Sequence, residues 1–203
     1  ASFFEASAVV ERREFRKFVG PVLKRHAGIR SLQWVSVVPS GERATYVARA
    51  RRSFPPFRIN EIDTEGRRIE SPDRPVLYPV LYVQPYAEHK QALGLNMGAD
   101  PLISALLREA ELAGEARVSP TISFDDTADG SKAFVVAIPV FWDNEEGDDG
   151  EGEPTQPNTV IRGFALAVFY VKEIVERALA NLRAGGVDIR VYQHNRSGDA
   201  QPI

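Results

Sequence analysis

Three apolar segments follow one another in the second half of the chain: ARVSPTISF (116–124), KAFVVAIPVFW (132–142) and VIRGFALAVFY (160–170). Their β-branched and aromatic residues are typical of strands. A turn-forming segment, 125–130, separates the first two, and an acidic segment, 143–157, separates the last two. Because consecutive strands without helical crossovers pair antiparallel, these segments predict antiparallel sheets and an α+β class.

Four helices are predicted around these strands. Residues 2–25 carry apolar residues at three- and four-residue steps among charges, which indicates a long helix that Gly20-Pro21 either kinks or divides. Asp100 and Pro101 predict an N-cap and first helical residue, and the helix should end at Gly114. The remaining helices are a short one within 41–54 and one over 172–184.

Further strands are predicted in the first half of the chain and at its end. The segment 29–39 alternates apolar and polar residues, and so does 57–62. The apolar segment 76–83 contains Pro79, which predicts an edge strand or a bulge because proline gives no ladder donor. A last strand is expected over 187–192.

The composition excludes several classes of function. The 203-residue chain contains no cysteine, which excludes thiol nucleophiles, Cys-based zinc sites and disulfides. Its formal net charge of −3 argues against nucleic acid as a partner. Phosphate-loop, zinc-protease, serine-hydrolase and dinucleotide-binding motifs are all missing from the sequence. We therefore predict that the chain is not an enzyme and carries no cofactor.

Two charged stretches are weaker candidates for binding. The acidic segment 143–153 could gather around a cation, but it lacks the ligand order of a calcium loop and is more typical of a hydrated loop. The arginines between 49 and 68 could form an anion site, although a solvated face balanced by nearby acids explains them as well.

The order of the motifs along about residues 12–182 resembles the CHASE domain, a sensory module of membrane receptors. The matching blocks are Phe15-Arg16-Lys17-Phe18, His26-Ala27-Gly28-Ile29, Leu32-Gln33-Trp34, Tyr78-Pro79-Val80-Leu81-Tyr82-Val83, Gly94-Leu95-Asn96, Ile138-Pro139-Val140-Phe141 and Gly163-Phe164. The resemblance implies a long N-terminal helix followed by two PAS-like subdomains with antiparallel sheets. We expect a stalk region over 1–30, a sensor core with distal and proximal lobes over 31–170, and a C-terminal helix and strand of the proximal lobe over 171–203.

The resemblance also implies a setting and a partner. Family members lie on the periplasmic or extracellular side of the membrane, between two membrane helices that are not in this chain. They pass a signal to a histidine kinase or a cyclic-dinucleotide enzyme, and here a homodimer through the N-terminal helix is expected. Plant members bind cytokinins through a helix aspartate, and Ile103 stands at that place, so cytokinin is disfavoured. Many bacterial members have an aspartate where this chain has Asn96.

The expected ligand is an unidentified small molecule in the distal lobe, where the pocket should be mostly apolar with a few polar groups. The candidate ligand-binding residues are Tyr78, Val80, Tyr82, Leu95, Asn96, Ile103, Leu107, Thr121, Ile138, Phe141, Gly163 and Phe164. Gly163 is included because a missing side chain lets a ligand approach the backbone. For each residue a purely structural role in the core is the alternative, and for the whole chain the alternative is a ligand-free periplasmic interaction module.

Overall fold

A computed structural model describes residues 12–26, 28–123, 132–143, 159–179, 190, 192–194 and 200–202. The first elements are α1 (Arg12–Arg25), β1 (Ile29–Ser36), β2 (Val38–Pro39), α2 (Arg43–Ala50), β3 (Asn60–Ile62), β4 (Arg68–Glu70), β5 (Val76–Leu77) and β6 (Val80–Gln84). They are followed by α3 (Tyr86–His89), α4 (Pro101–Ala113), β7 (Arg117–Val118), β8 (Ile122–Ser123), β9 (Lys132–Asp143), β10 (Thr159–Tyr170), α5 (Val171–Leu179), β11 (Tyr192–His194) and β12 (Ala200–Pro202).

A six-stranded antiparallel sheet forms the centre of the molecule. Its strand order is β6-β1-β10-β9-β7, and β8 also pairs with β9. The long hairpin β9–β10 pairs from Thr159–Asp143 to Tyr170–Ala133, and β1 lies against β10 with Trp34 opposite Ala165. The α+β class with antiparallel sheets is therefore confirmed, while the division into two PAS-like lobes stays a prediction.

The N-terminal helix is a single helix over its described length. α1 continues through Gly20 and Pro21, so of the two outcomes predicted there, a second helix does not form. Phe15 and Val19 are buried against the sheet and Leu23 packs on the same cluster, so this packing offsets the hydrogen bond that Pro21 cannot make. The predicted part of this helix before residue 12 lies outside the described residues.

The strand predicted over 116–124 differs from the structure. The segment 116–124 forms two short strands, β7 and β8, instead of one, because Pro120 has no N–H for the ladder. Ser119 replaces part of the pairing there, since its hydroxyl accepts the N–H of Val135 at 2.9 Å. The final strand predicted over 187–192 falls largely outside the described residues, and β11 begins at Tyr192.

The bounds of α4 agree with the sequence because both of its caps are local. Asp100 accepts hydrogen bonds from the backbone N–H groups of Leu102 at 2.8 Å and Ile103 at 3.0 Å. Gly114 ends the helix in the left-handed region with φ of 65°. α4 is thereby fixed against one side of the sheet.

The sheet separates two hydrophobic cores, which lie on its opposite sides because successive residues of a strand alternate. On the α1 side, Trp34 and Tyr82 are buried with Phe15 of α1 and with aromatic residues around α2. On the α4 side, Val35 and Phe164 are buried with Ile103, Leu106, Leu107 and Ala110 of α4. Among the described residues, no helix is both long and apolar enough to cross a membrane.

Candidate functional site

The α4 side of the sheet brings together six of the twelve sequence-predicted binding residues. Val80 and Phe164 from the sheet and Ile103 and Leu107 from α4 are between 0% and 3% exposed in one core. The partly buried residues Tyr78 and Leu95 pack against the same core. These six residues form one buried surface, and α4 itself packs on the strands β9 and β7.

Tyr78 lies at the rim of this surface. Its ring is tilted on that of Phe164, with 6.2 Å between the ring centroids. Burial raises the pKa of the Tyr78 phenol and the Glu111 carboxylate raises it further, while Arg108 acts in the opposite direction. The phenol therefore stays protonated near neutral pH and can donate or accept a hydrogen bond.

Asn96 holds the segment before α4 in place. Its Oδ1 accepts the backbone N–H of Tyr78 at 2.9 Å, and its Nδ2 donates to Ser71 Oγ at 3.1 Å. The side chain is only 2% exposed, so both of its polar atoms are engaged inside the protein. In this arrangement Asn96 positions Tyr78. Direct binding of a ligand by Asn96 stays a prediction.

Tyr82 and Ile138 lie on the other side of the sheet and do not share a pocket with Phe164. Tyr82 is stacked on Phe15 of α1, with 5.5 Å between the ring centroids. The reason is a bulge in β6, where Trp34 pairs with Tyr82 but Val35 pairs with Val80, so that Leu81 and Tyr82 both pack on the α1 side. The expectation that Val80 and Tyr82 form one wall was therefore wrong.

Ile138 alternates with Ala137, which belongs to the core on the α4 side. Its side chain consequently points away from that core and is 46% exposed. It cannot be part of the pocket floor that the sequence predicted beside Phe164.

Gly163 is required by packing within the sheet. A Cβ there would lie 2.4 Å from the carbonyl oxygen of Val35 and 2.8 Å from Cζ2 of Trp34. The space expected for a ligand at Gly163 is thus filled by β1 and its indole ring. The register of β10 against β9 shifts between Ile161 and Gly163, which brings the glycine backbone to this close approach.

Phe141 and Thr121 lie near opposite ends of β9, the strand on which α4 packs. Phe141 pairs with Ile161, alternates onto the α4 side and is partly buried near the end of β9. Thr121 precedes β8, which pairs with β9 at the opposite edge of the sheet from β6, and it is also partly buried. The sequence could not predict these two positions because they depend on the order of the strands in the sheet.

Sequence reasoning missed the residues that connect the two sides. Tyr86 and Leu93 follow the edge strand β6 and pack against both cores. The Tyr86 ring stacks on Phe54 at 6.2 Å, and the guanidinium of Arg12 lies over both rings, 4.7 Å from the centroid of Phe54 and 4.4 Å from that of Tyr86. No periodic pattern marks these residues, because they meet only when α1 docks on the sheet.

Several of the charged candidates make contacts within the protein. Arg51 Nε donates to the carbonyl oxygen of Phe57 at 3.0 Å, and Arg67 pairs with Asp63 at 2.9 Å. An open groove of about 480 Å³ beside α2 contains Arg43, which pairs with Glu70 at 3.2 Å. In the part of the chain that the structure describes, no group of side chains could hold a metal ion, and the acidic segment 144–153 lies outside it.

Comparison with known proteins gives a family. The family model described as CHASE domain matches residues 8–203, which is essentially the whole chain. No curated protein matches the sequence.

Proposed function

The chain belongs to the CHASE domain family, whose members are extracytoplasmic sensor modules without catalytic activity, and we propose that it binds a small molecule on the α4 side of its sheet. The observation that supports this proposal best is the sidedness of the sheet. The N-terminal helix packs on one side, and six of the twelve predicted binding residues pack together on the other. Ligand and signalling helix are thus separated by one layer of strands.

The binding surface combines apolar walls with polar groups at its rim, as small-molecule sites usually do. Val80, Leu107 and Phe164 supply apolar walls, and the phenol of Tyr78 supplies a polar group that is partly accessible. Because the walls are closely packed in this structure, the ligand binds by moving the segment that precedes α4.

Signal transfer runs through the residues that contact both cores. A displacement of Tyr86 or Leu93 changes the packing of Phe54 and the cation–π contact of Arg12, and thereby the position of α1. A ligand can shift this equilibrium only if it binds the two arrangements with different affinity. Helix displacements of about 1–2 Å are sufficient to signal across an interface.

The setting of the domain follows from the family resemblance and is part of the proposal. α1 pairs with α1 of a second copy, and Phe18 on α1 is 40% exposed. Flanking membrane helices in the parent protein place the domain on the periplasmic or extracellular side, and a histidine kinase or cyclic-dinucleotide enzyme receives the signal.

A thermal-shift screen against small metabolites tests ligand binding. A ligand at 100 times its Kd stabilises the domain by about 2.7 kcal/mol, which corresponds to a rise in Tm of about 5–10 °C. We expect Tyr78→Ala to reduce the ligand-induced rise, whereas Val47→Ala, in the groove beside α2, leaves it unchanged. A rise that Val47→Ala abolishes and Tyr78→Ala does not would place the ligand elsewhere.

The close packing on the α4 side also favours a second candidate, a ligand-free module that binds a periplasmic protein. Val118 and Ile138 are 58% and 46% exposed on the part of the α1 side near β7. In this case no metabolite raises the Tm, and Ile138→Asp abolishes the receptor's output without changing the fold. If Tyr78→Ala abolished the signalling output of the receptor and Ile138→Asp did not, the ligand-free interaction module would be rejected.

A further inference from the structure

A glutamine is buried on the α4 side of the sheet. Gln33 is 9% exposed and alternates with Val35 along β1, the second strand of the sheet. It lies opposite Val83 on β6 and Leu166 on β10, both of which are at most 2% exposed. A primary amide is thus placed between two apolar side chains in a hydrophobic core.

The hydrogen bonds of this amide are incomplete. Gln33 Nε2 donates to Ser31 Oγ at 3.3 Å, and Ser31 is itself 2% exposed. Gln33 Oε1 is shielded from solvent and has no hydrogen-bond partner among the described residues. Buried carbonyl oxygens are almost always paired with protein or water, so this one needs a partner, which is either a water or a donor that joins the site in another state.

The surroundings of Gln33 restrict the chemistry of that donor. On this side, the buried cluster formed by the described residues consists of valine, isoleucine, leucine, alanine and phenylalanine side chains. A charged ligand would lose its hydration there without gaining a buried counter-charge. The donor therefore belongs to an uncharged, mostly apolar molecule.

We propose, resting on the proposed function, that Gln33 is a specificity-determining contact whose Oε1 accepts a hydrogen bond from an N–H or O–H group of an uncharged ligand. The route to it is bordered by the segment of Tyr86, Ala92 and Leu93, which packs against this side. That segment is held to β6 by the hydrogen bond from the Gly94 N–H to the Val80 carbonyl oxygen at 2.8 Å. Its displacement exposes Gln33 and moves the residues that contact α1.

Matched pairs of probes test the contact directly. Indole and 1-methylindole, and likewise phenol and anisole, differ in a single donor, and their dissociation constants are measured by following side-chain and backbone amide resonances in NMR titrations. We expect the donor-bearing probe of each pair to bind about tenfold more tightly, and Gln33→Met to reduce the ratio to about twofold or less. Gln84→Met is the matched control, because Gln84 alternates with Val83 onto the α1 side, and it keeps the tenfold ratio.

The stability of Gln33→Met without probe gives a second measurement. In a Ser31→Ala background, where no buried hydroxyl is left unpaired, replacing the amide by an apolar side chain of similar length should raise the Tm. A fall in Tm would show that Oε1 is already paired inside the protein and would overturn the proposal.

The failure of this inference can be told apart from failure of the proposed function. An unchanged probe ratio in Gln33→Met, or no binding by any of the four probes at millimolar concentration, overturns the assignment of Gln33. The proposed function survives either result if a metabolite still raises the Tm of the wild type through Tyr78. It fails only when no molecule does so.

Discussion

At Gly163 the sheet leaves no room for a side chain. The β1 backbone and the Trp34 indole would lie 2.4 Å and 2.8 Å from an added Cβ, so the contact cannot relax without moving a strand or a buried ring. Gly163, which the sequence predicted as a ligand contact, instead allows β1 and β10 to lie close together.

Gly163→Ala should therefore destabilise the domain by about 1–3 kcal/mol, because overpacking forces shifts of the surrounding atoms. Gly20→Ala in α1 is the control, since an added Cβ there meets nothing within 4 Å, and it should stabilise by about 0.5–1 kcal/mol. Urea denaturation measures both changes. Equal stability of Gly163→Ala and wild type would contradict the close approach.

Tyr46 gives the domain a dependence on alkaline pH. The side chain is 5% exposed, and its hydroxyl donates to Ser36 Oγ at 3.0 Å. Burial raises its pKa above the ordinary value, while the Ser36 hydrogen bond and Arg49 lower it less. The pKa of Tyr46 is higher in the folded protein than the value of about 10 in the unfolded chain. Its contribution to the free energy of unfolding is therefore fully present below pH 10 and is lost as the pH rises above that value.

Tyr46→Phe should consequently be about 1 kcal/mol less stable than wild type at neutral pH, from the lost hydrogen bond, and should fall less steeply above pH 10. Tyr78, whose pKa is also raised by burial, leaves a residual slope. The free energy of unfolding is measured by urea titration across the pH range. Tyr192→Phe, at an exposed position, is the control and should keep the wild-type dependence of the free energy of unfolding on pH. If Tyr46→Phe also kept that dependence, Tyr46 would not be its cause.

At the level of elements, α1 is attached to the rest of the domain at two points. Phe15 and Val19 are buried in the α1-side core, and Arg12 lies over the stacked rings of Phe54 and Tyr86. The second contact ties the first turn of the helix to the segment that follows β6, so it is the place where α1 can be released without unfolding the core.

Arg12→Gln should loosen that turn and cost about 0.5–2 kcal/mol of cation–π energy. Hydrogen exchange of the amides near the start of α1 should become faster, while exchange in β1 and β10 stays slow. Arg13→Gln, at an exposed position on the same helix, should leave exchange unchanged. Equal exchange rates in the two variants would mean that Arg12 does not hold α1.

The elements differ in how far the sequence could predict them. α4 was predicted with its bounds, since Asp100 and Gly114 act within a few residues of the helix ends. The side on which Tyr82 lies could not be predicted, because it depends on a bulge set by the pairing of β6 with β1, forty-odd residues away in the chain. Gln33 was missed for a similar reason, since alternation in β1 does not show that both of its sides are buried.

At the scale of the whole molecule, one sheet carries the signalling helix on one side and the candidate ligand surface on the other. Tyr86 and Leu93 pack against both cores at the edge formed by β6. In this arrangement, we expect ligand binding on the α4 side to change the position of α1.

The distance between α1 and α4 is the most direct test of that account. The chain has no cysteine, so spin labels can be placed on the exposed positions Lys17 and Ala105 through K17C and A105C alone. A ligand that raises the Tm should shift the distance distribution by about 1–2 Å, and Tyr86→Ala should remove the shift while the rise in Tm remains. An unchanged distribution at saturating ligand would contradict the coupling of the α4 side to α1.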